Sequence, residues 1–331
     1  MWLVSARWDL AWMAGPAFLA AGGALLWPEA LALPFAGWLL LVVCVDVAHT
    51  WASLYRTALD PQAEPGLLGK AATIALIGAL LLWMLAPSAF WPGMAAVAIF
   101  HFIRQQGGVL ALYQAHDAQL SPLEKAVERR LIEALCLLPL VYWASHLPRA
   151  FAWFSPADFG PGLPAWVLPP AALLTGGLFL WHVALRLRSR RLAWGRDLWV
   201  LGTGASWSAG ILLTNSDGAF TIANVLPHGI SYFALVYRVG ARQWCEGAGP
   251  AWAPLYRRWP LWLVLPLGAA FAEEALWEVF VNQELDLSPF DPVSALTPLL
   301  AVPQLTHYLL DGWIWKMPPG SPLRRWLELP C

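Results

Sequence analysis

Three short pairings of polar side chains stand out in an otherwise apolar chain. His49 follows Asp46 by three residues, His228 follows Asn224 by four, and Asp311 follows His307 by four. A fourth region holds Glu273, Glu274 and Glu278, the last two four apart. A fifth holds His101 with Arg104, Gln105 and Gln106. On a helix, spacings of three and four put both side chains on one face. Each pair can therefore converge on a point. Imidazole and carboxylate groups meeting there are the donors that hold iron, manganese or zinc in a helix bundle.

The residues that surround these groups explain why they matter. Of 331 residues, 59% are hydrophobic and only 12% charged, and the mean hydropathy is +0.55. Soluble domains carry about 25% charged residues. A soluble globular enzyme, a disordered chain and a nucleic-acid binder are excluded on that ground. The expected class is all-α: a polytopic transmembrane helix bundle forming a single integral membrane domain over residues 1–331. Ionisable side chains in such a bundle are costly, and they mark function by default.

Apolar stretches of bilayer length predict ten spans. They fall at roughly 10–27, 32–55, 67–86, 92–115, 123–146, 165–187, 197–214, 219–239, 260–282 and 293–315. Arg7 balanced by Asp9 makes a weak head for a signal peptide, so the first span is read as retained. Ser121-Pro122-Leu123-Glu124 reads as a capping box opening the fifth helix. With ten spans the basic residues sort to one side. Arg7, Arg56, Lys70, Lys125, Arg129, Arg130, Arg186, Arg188, Arg190, Arg191, Arg196, Arg238, Arg242, Arg257, Arg258, Lys316, Arg324 and Arg325 fall on the side of the termini. Arg149 is the one basic residue opposite, beside Glu29, Asp158, Asp217, Glu284, Asp286 and Asp291. The positive-inside rule then puts both termini in the cytoplasm, with a short tail at 316–331. The expected location is a bacterial inner membrane.

Depth narrows the set. His49 lies seven residues before Arg56, His228 ten before Arg238 and His307 nine before Lys316. At about 1.5 Å per residue these histidines share one slab with His101 and the glutamates. The expected metal ligands are His49, His101, His228, His307, Asp46, Glu274, Glu278 and Asp311. Arg104, always charged, needs a carboxylate, and Glu273 is its expected partner. Arg104, Glu273 and Tyr232 are placed in the reacting region. His182, His116 and His146 lie at span ends and are read as interfacial. The four cysteines, Cys44, Cys136, Cys245 and Cys331, show no ligand spacing.

The chemistry this set implies is that of a membrane metalloenzyme. The expected reaction is a non-haem iron or di-iron oxygenation of a lipophilic substrate drawn from membrane lipid, with an electron-donor protein as partner. One or two iron ions are expected, with manganese or zinc as substitutes. HxxxH, HxxHH and HExxH are absent, which sets aside desaturase, hydroxylase and zinc-protease boxes of those types. The alternative is a proton- or metal-ion-coupled transporter, since the same residue types also build relays. A haem-binding electron carrier ranks third, because it leaves the carboxylates unexplained.

Overall fold

The computed structural model describes residues 2–28, 31–150, 160–190, 193–247, 253–282, 292–316 and 323–328. Glu29, Asp158, Arg191, Glu284, Asp286, Asp291 and Cys331, all used in the sequence reading, lie outside the described residues. Every regular element among the described residues is helical. The long helices are α1 (Ala6–Leu26), α2 (Phe35–Arg56), α3 (Leu67–Leu85), α4 (Pro87–His116), α5 (Pro122–Ala144) and α6 (Ala165–Ser189). They continue with α7 (194–213), α8 (Asp217–Cys245) and α9 (259–282). α10 (Pro292–Leu300), α11 (Val302–Ile314) and α12 (Leu323–Glu328) complete the set. Helix covers each segment expected to span. Six of these helices, α1, α2, α3, α4, α6 and α8, are long and apolar enough to cross a membrane.

The burial pattern is inside out relative to a soluble protein. α3 buries Ala71, Ala75 and Ala79 and exposes Ile74, Ile77, Leu81, Met84 and Leu85. α1 buries Ala17, Ala20, Ala21 and Ala24 and exposes Phe18, Leu19, Leu25 and Leu26. Small residues at a spacing of four let backbones approach closely, and large apolar residues face outward to lipid. Water would not tolerate so much exposed apolar surface on a monomer.

The residues divide into two compact units. The first holds 1–35, 98–231 and 327–329; the second holds 36–97, 232–326 and 330–331. α4 and α8 each contribute residues to both.

In the first unit, Ala21 and Ala24 of α1 pack against Ala209, Ala219 and Ala223. A Cβ on Gly202 would come within 3.2 Å of Ala17, so a larger residue there would push α1 and α7 apart by a few tenths of an ångström. Asp9 fastens the start of α1, accepting the backbone N–H of Leu3 (2.7 Å) and Val4 (3.0 Å) and the hydroxyl of Tyr113 (2.9 Å). The capping box is formed: Ser121 accepts from the Glu124 N–H, and Glu124 accepts from the Ser121 N–H. Cys136 is buried with Trp143, Trp207 and Ile211, a small hydrophobe in a core.

The same unit holds a buried ionic cluster. Arg196 reaches Asp117 at 2.9 Å and Glu128 at 3.0 Å, and Arg186 reaches Asp197 at 3.2 Å. His182 lies 3.9 Å from both Glu128 and Asp197 and is itself buried. Reading Arg186 and Arg196 only as orienting loop charges therefore missed a tertiary role. These pairs tie α5, α6, α7 and the end of α4 together.

In the second unit, Val43, Val47 and Ala48 of α2 pack on Ala270 of α9. An aromatic core follows, with Tyr55 stacked on Trp262 at 4.8 Å and its hydroxyl donated to the Trp262 carbonyl at 2.7 Å.

Candidate metal centre

Two of the expected ligand helices depart from regular α geometry near their histidines, those of His49 and His228. In α2 a π-helical stretch, Leu39–Val47, ends two residues before His49. In α8 a second stretch, Thr221–Val225, ends three residues before His228. Pro227 lies between and cannot donate to the carbonyl four residues back, which favours a wider turn there. π-bulges re-aim side chains and recur at functional sites.

In the first unit, His101 and His228 face each other edge to face, with ring centroids 5.0 Å apart. Phe102 stacks flat on His228 at 3.9 Å. Gln105 donates to the His228 carbonyl at 2.9 Å and to Ser231 Oγ at 3.3 Å. Ser231 Oγ in turn donates to that same carbonyl at 3.1 Å. The backbone at His228 is therefore held by two side chains, and its ring by a third. Neither Gln105 nor Phe102 was weighted as a supporting residue from sequence. Their spacings of four and one from His101 were the available signal.

In the second unit, His49 and His307 meet at right angles, 4.7 Å between centroids, with Tyr232 5.0 Å from His307 and 5.5 Å from His49. Ser53 Oγ lies 2.7 Å from His307 Nδ1 and 3.0 Å from the Tyr232 hydroxyl. Asp46 Oδ1 is 3.6 Å from His49 Nδ1, one turn away as its spacing implied. Tyr232, expected near the reacting region, is fully buried against both imidazoles.

Three of the four expected histidines form a group that could hold a metal ion. His49, His101 and His228 are buried, and each offers one ring nitrogen such that the three atoms lie within 4.8 Å of one another. Neutral imidazoles are good ligands for zinc, iron, copper and nickel. His307 is not a member of that group, although it touches His49.

The acids divide. Asp46, Glu274 and Asp311 are half-buried, whereas Glu278 is exposed. Glu273 is buried, and its carboxylate accepts the Trp51 indole N–H at 2.6 Å. Arg104 is exposed and forms no ion pair among the described residues. Its neighbours Gln105 and Gln106 are the buried ones. The expected Arg104–Glu273 pairing is replaced by the Trp51–Glu273 hydrogen bond. A helix turns about 100° per residue, so turning Gln105 inward turns Arg104 away.

No protein-family model matches the chain, and neither a curated protein nor a solved structure is similar to it.

Proposed function

We propose that this chain is an integral membrane metalloenzyme whose metal is held by His49, His101 and His228. The observation that carries the reading is the convergence of three buried imidazole nitrogens within 4.8 Å. Among the described residues the group is three histidines, a set that resembles a catalytic site with open coordination positions more than a closed structural one. Asp46 Oδ1 lies 3.6 Å from His49 Nδ1, just beyond hydrogen-bond range, so a small closure on metal binding would let it orient the imidazole.

The reaction we assign is oxygenation of a lipophilic substrate, with non-haem iron as the metal. When bound, iron supplies a site for dioxygen. Phe102 and Gln105 would hold His228 rigid, and Tyr232 with Ser53 would fix His307 at the edge of the reacting space. Apolar outward faces such as those of α3 and α6 let a substrate approach from the bilayer rather than from water.

The test is metal content of the detergent-purified full chain by mass spectrometry, with an absorption spectrum on the same sample. Near-stoichiometric iron without a haem band, lost in His101→Ala and His228→Ala, is the expected result. A metal-free wild type would overturn the reading and make transport of protons or metal ions the next assay. Zinc or manganese in place of iron would keep the site and overturn the oxygenase assignment.

A further inference from the structure

A cavity of about 580 Å³ opens in the second unit, where α2 ends and α3 begins. Its wall includes Arg56, Asp60, Glu64, Lys70, Trp313 and Lys316. By count that is three bases and two acids. The acids do not cancel the bases equally. Asp60 is buried and fully engaged: it pairs with Arg56, and accepts from Gln243 at 3.1 and 3.2 Å and from the Gln62 N–H at 2.9 Å. With Asp60 paired to Arg56, Glu64 is the one acid left in the wall against the two ammonium groups of Lys70 and Lys316, all three exposed.

The donors are placed differently. Lys70 and Lys316 are exposed, and the Lys70 ammonium lies 5.3 Å over the Trp313 ring. Arg56 is only 8% exposed, and its Nε–H has no hydrogen-bond partner among the described residues. Buried guanidinium donors are costly to leave unmet. The 19-residue helix α3 starts here at Gly66, with no side-chain cap on its first turn. Leu67 and Lys70 of its first turn line the cavity, so the positive end of the helix lies at the same region. A guanidinium, two ammonium groups and a helix N-terminus gathered at one cavity are a recipe for binding an oxyanion with several acceptor oxygens.

We infer that this cavity binds a phosphoryl group, carried either by an anionic lipid headgroup or by a soluble phosphate ester. The volume exceeds what a bare carboxylate would fill, and Trp313 offers an apolar wall for the esterified part. On the sequence's own charge asymmetry, Arg56, Lys70 and Lys316 share the cytoplasmic side, where basic pockets meet phospholipid headgroups. The inference does not depend on the metal reading, since none of these residues belongs to the three-histidine group.

The experiment uses the full chain in phosphatidylcholine nanodiscs, with and without phosphatidylglycerol, and glycerol 3-phosphate as the soluble probe. Native mass spectrometry reads lipid retention, and tryptophan fluorescence reads the soluble probe. Two variants are compared: the double variant K70Q/K316Q, on exposed residues, and Arg56→Lys, which keeps charge beside Asp60 but removes the Nε donor. Binding should weaken by roughly tenfold or more in the double variant, which removes two basic side chains, and measurably in Arg56→Lys. Retention of phosphatidylglycerol alone would assign a lipid, and binding of glycerol 3-phosphate alone a soluble ester; either supports the site. Wild type that binds neither probe, or equal binding in wild type and K70Q/K316Q, would overturn it.

Discussion

Ser53 Oγ and His307 Nδ1 lie 2.7 Å apart in a fully buried setting, with the Tyr232 hydroxyl 3.0 Å from the same oxygen. One hydroxyl thus bridges a phenol and an imidazole. Since Nδ1 is taken, Nε2 is the His307 nitrogen left to face other groups. Ser53→Ala removes the bridge and leaves both partners short of a hydrogen bond. A stability loss of about 1–3 kcal/mol is expected, read as a lower melting temperature of the purified protein. A variant as stable as wild type would show that the bridge holds nothing.

The histidines should not behave alike. His49→Ala, His101→Ala and His228→Ala each remove one of three mutually close nitrogens, and each should strip most of the metal. His307→Ala removes a neighbour of that group and should keep near-stoichiometric metal with affinity lowered by roughly tenfold, the scale of an outer-shell change. Metal titration of the four variants side by side separates these outcomes. Equal loss in all four would promote His307 to a ligand.

Much of this was legible in the chain, and the parts that were not share a cause. Bilayer-length apolar runs located the helices, because lipid demands long uninterrupted hydrogen-bonded segments. The spacing 46/49 placed that pair on one face, with His49 Nδ1 and Asp46 Oδ1 3.6 Å apart. Periodicity fixes the angle between two residues on a helix but not which face turns inward. That choice depends on the neighbouring helices, so Arg104 and Glu278 were expected inside and are exposed, while Gln105, named beside His101 but given no role, is buried. The same limit hid the Arg196–Glu128 pair, which joins residues 68 positions apart whose charges looked like loop signals.

That pair is the most heavily buried charge contact among the described residues of the first unit, with side-chain exposures of 2% and 1%. Breaking it by Arg196→Met leaves Glu128 charged and buried, a loss on the order of 3–5 kcal/mol. Adding Glu128→Gln should recover part of that loss, because the uncompensated charge goes with it. Thermal melts of the two single variants and the double variant test this. A double variant as unstable as the sum of the singles would mean that the two residues act independently.

The inside-out packing of α3 gives a contrast that a soluble fold would reverse. Ala75 is 3% exposed and Ile77 52% exposed. Ala75→Leu should overpack the helix interface and cost about 1–3 kcal/mol, whereas Ile77→Ala should be nearly neutral in detergent. Ile77→Lys should instead impair insertion, at about 2.5–3.5 kcal/mol for a charge at the centre of a span. Membrane-fraction yield and melting temperature of the three variants decide it. A large loss in Ile77→Ala with none in Ala75→Leu would mean that the outward face is covered by protein.

Asp117, in the turn between α4 and α5, gives the pH test. Burial raises its pKa, but the hydrogen bond from Arg196, the Gln119 N–H and the charges of Arg196 and Arg186 more than offset that. The net result lies below the ordinary aspartate value of 3.8. A carboxylate with a lowered native pKa binds protons more weakly folded than unfolded, so its stabilisation is complete above the ordinary value. It is lost as the pH falls through the lowered value. The pair with Arg196 is partly exposed at the aspartate end, which discounts its worth to on the order of 1 kcal/mol at neutral pH. Asp117→Asn should therefore melt earlier than wild type at neutral pH. The gap should close as the buffer is taken below 3.8, because the wild-type carboxyl is then protonated too. A gap that stays constant across that range would place the effect of Asp117 in packing rather than in charge.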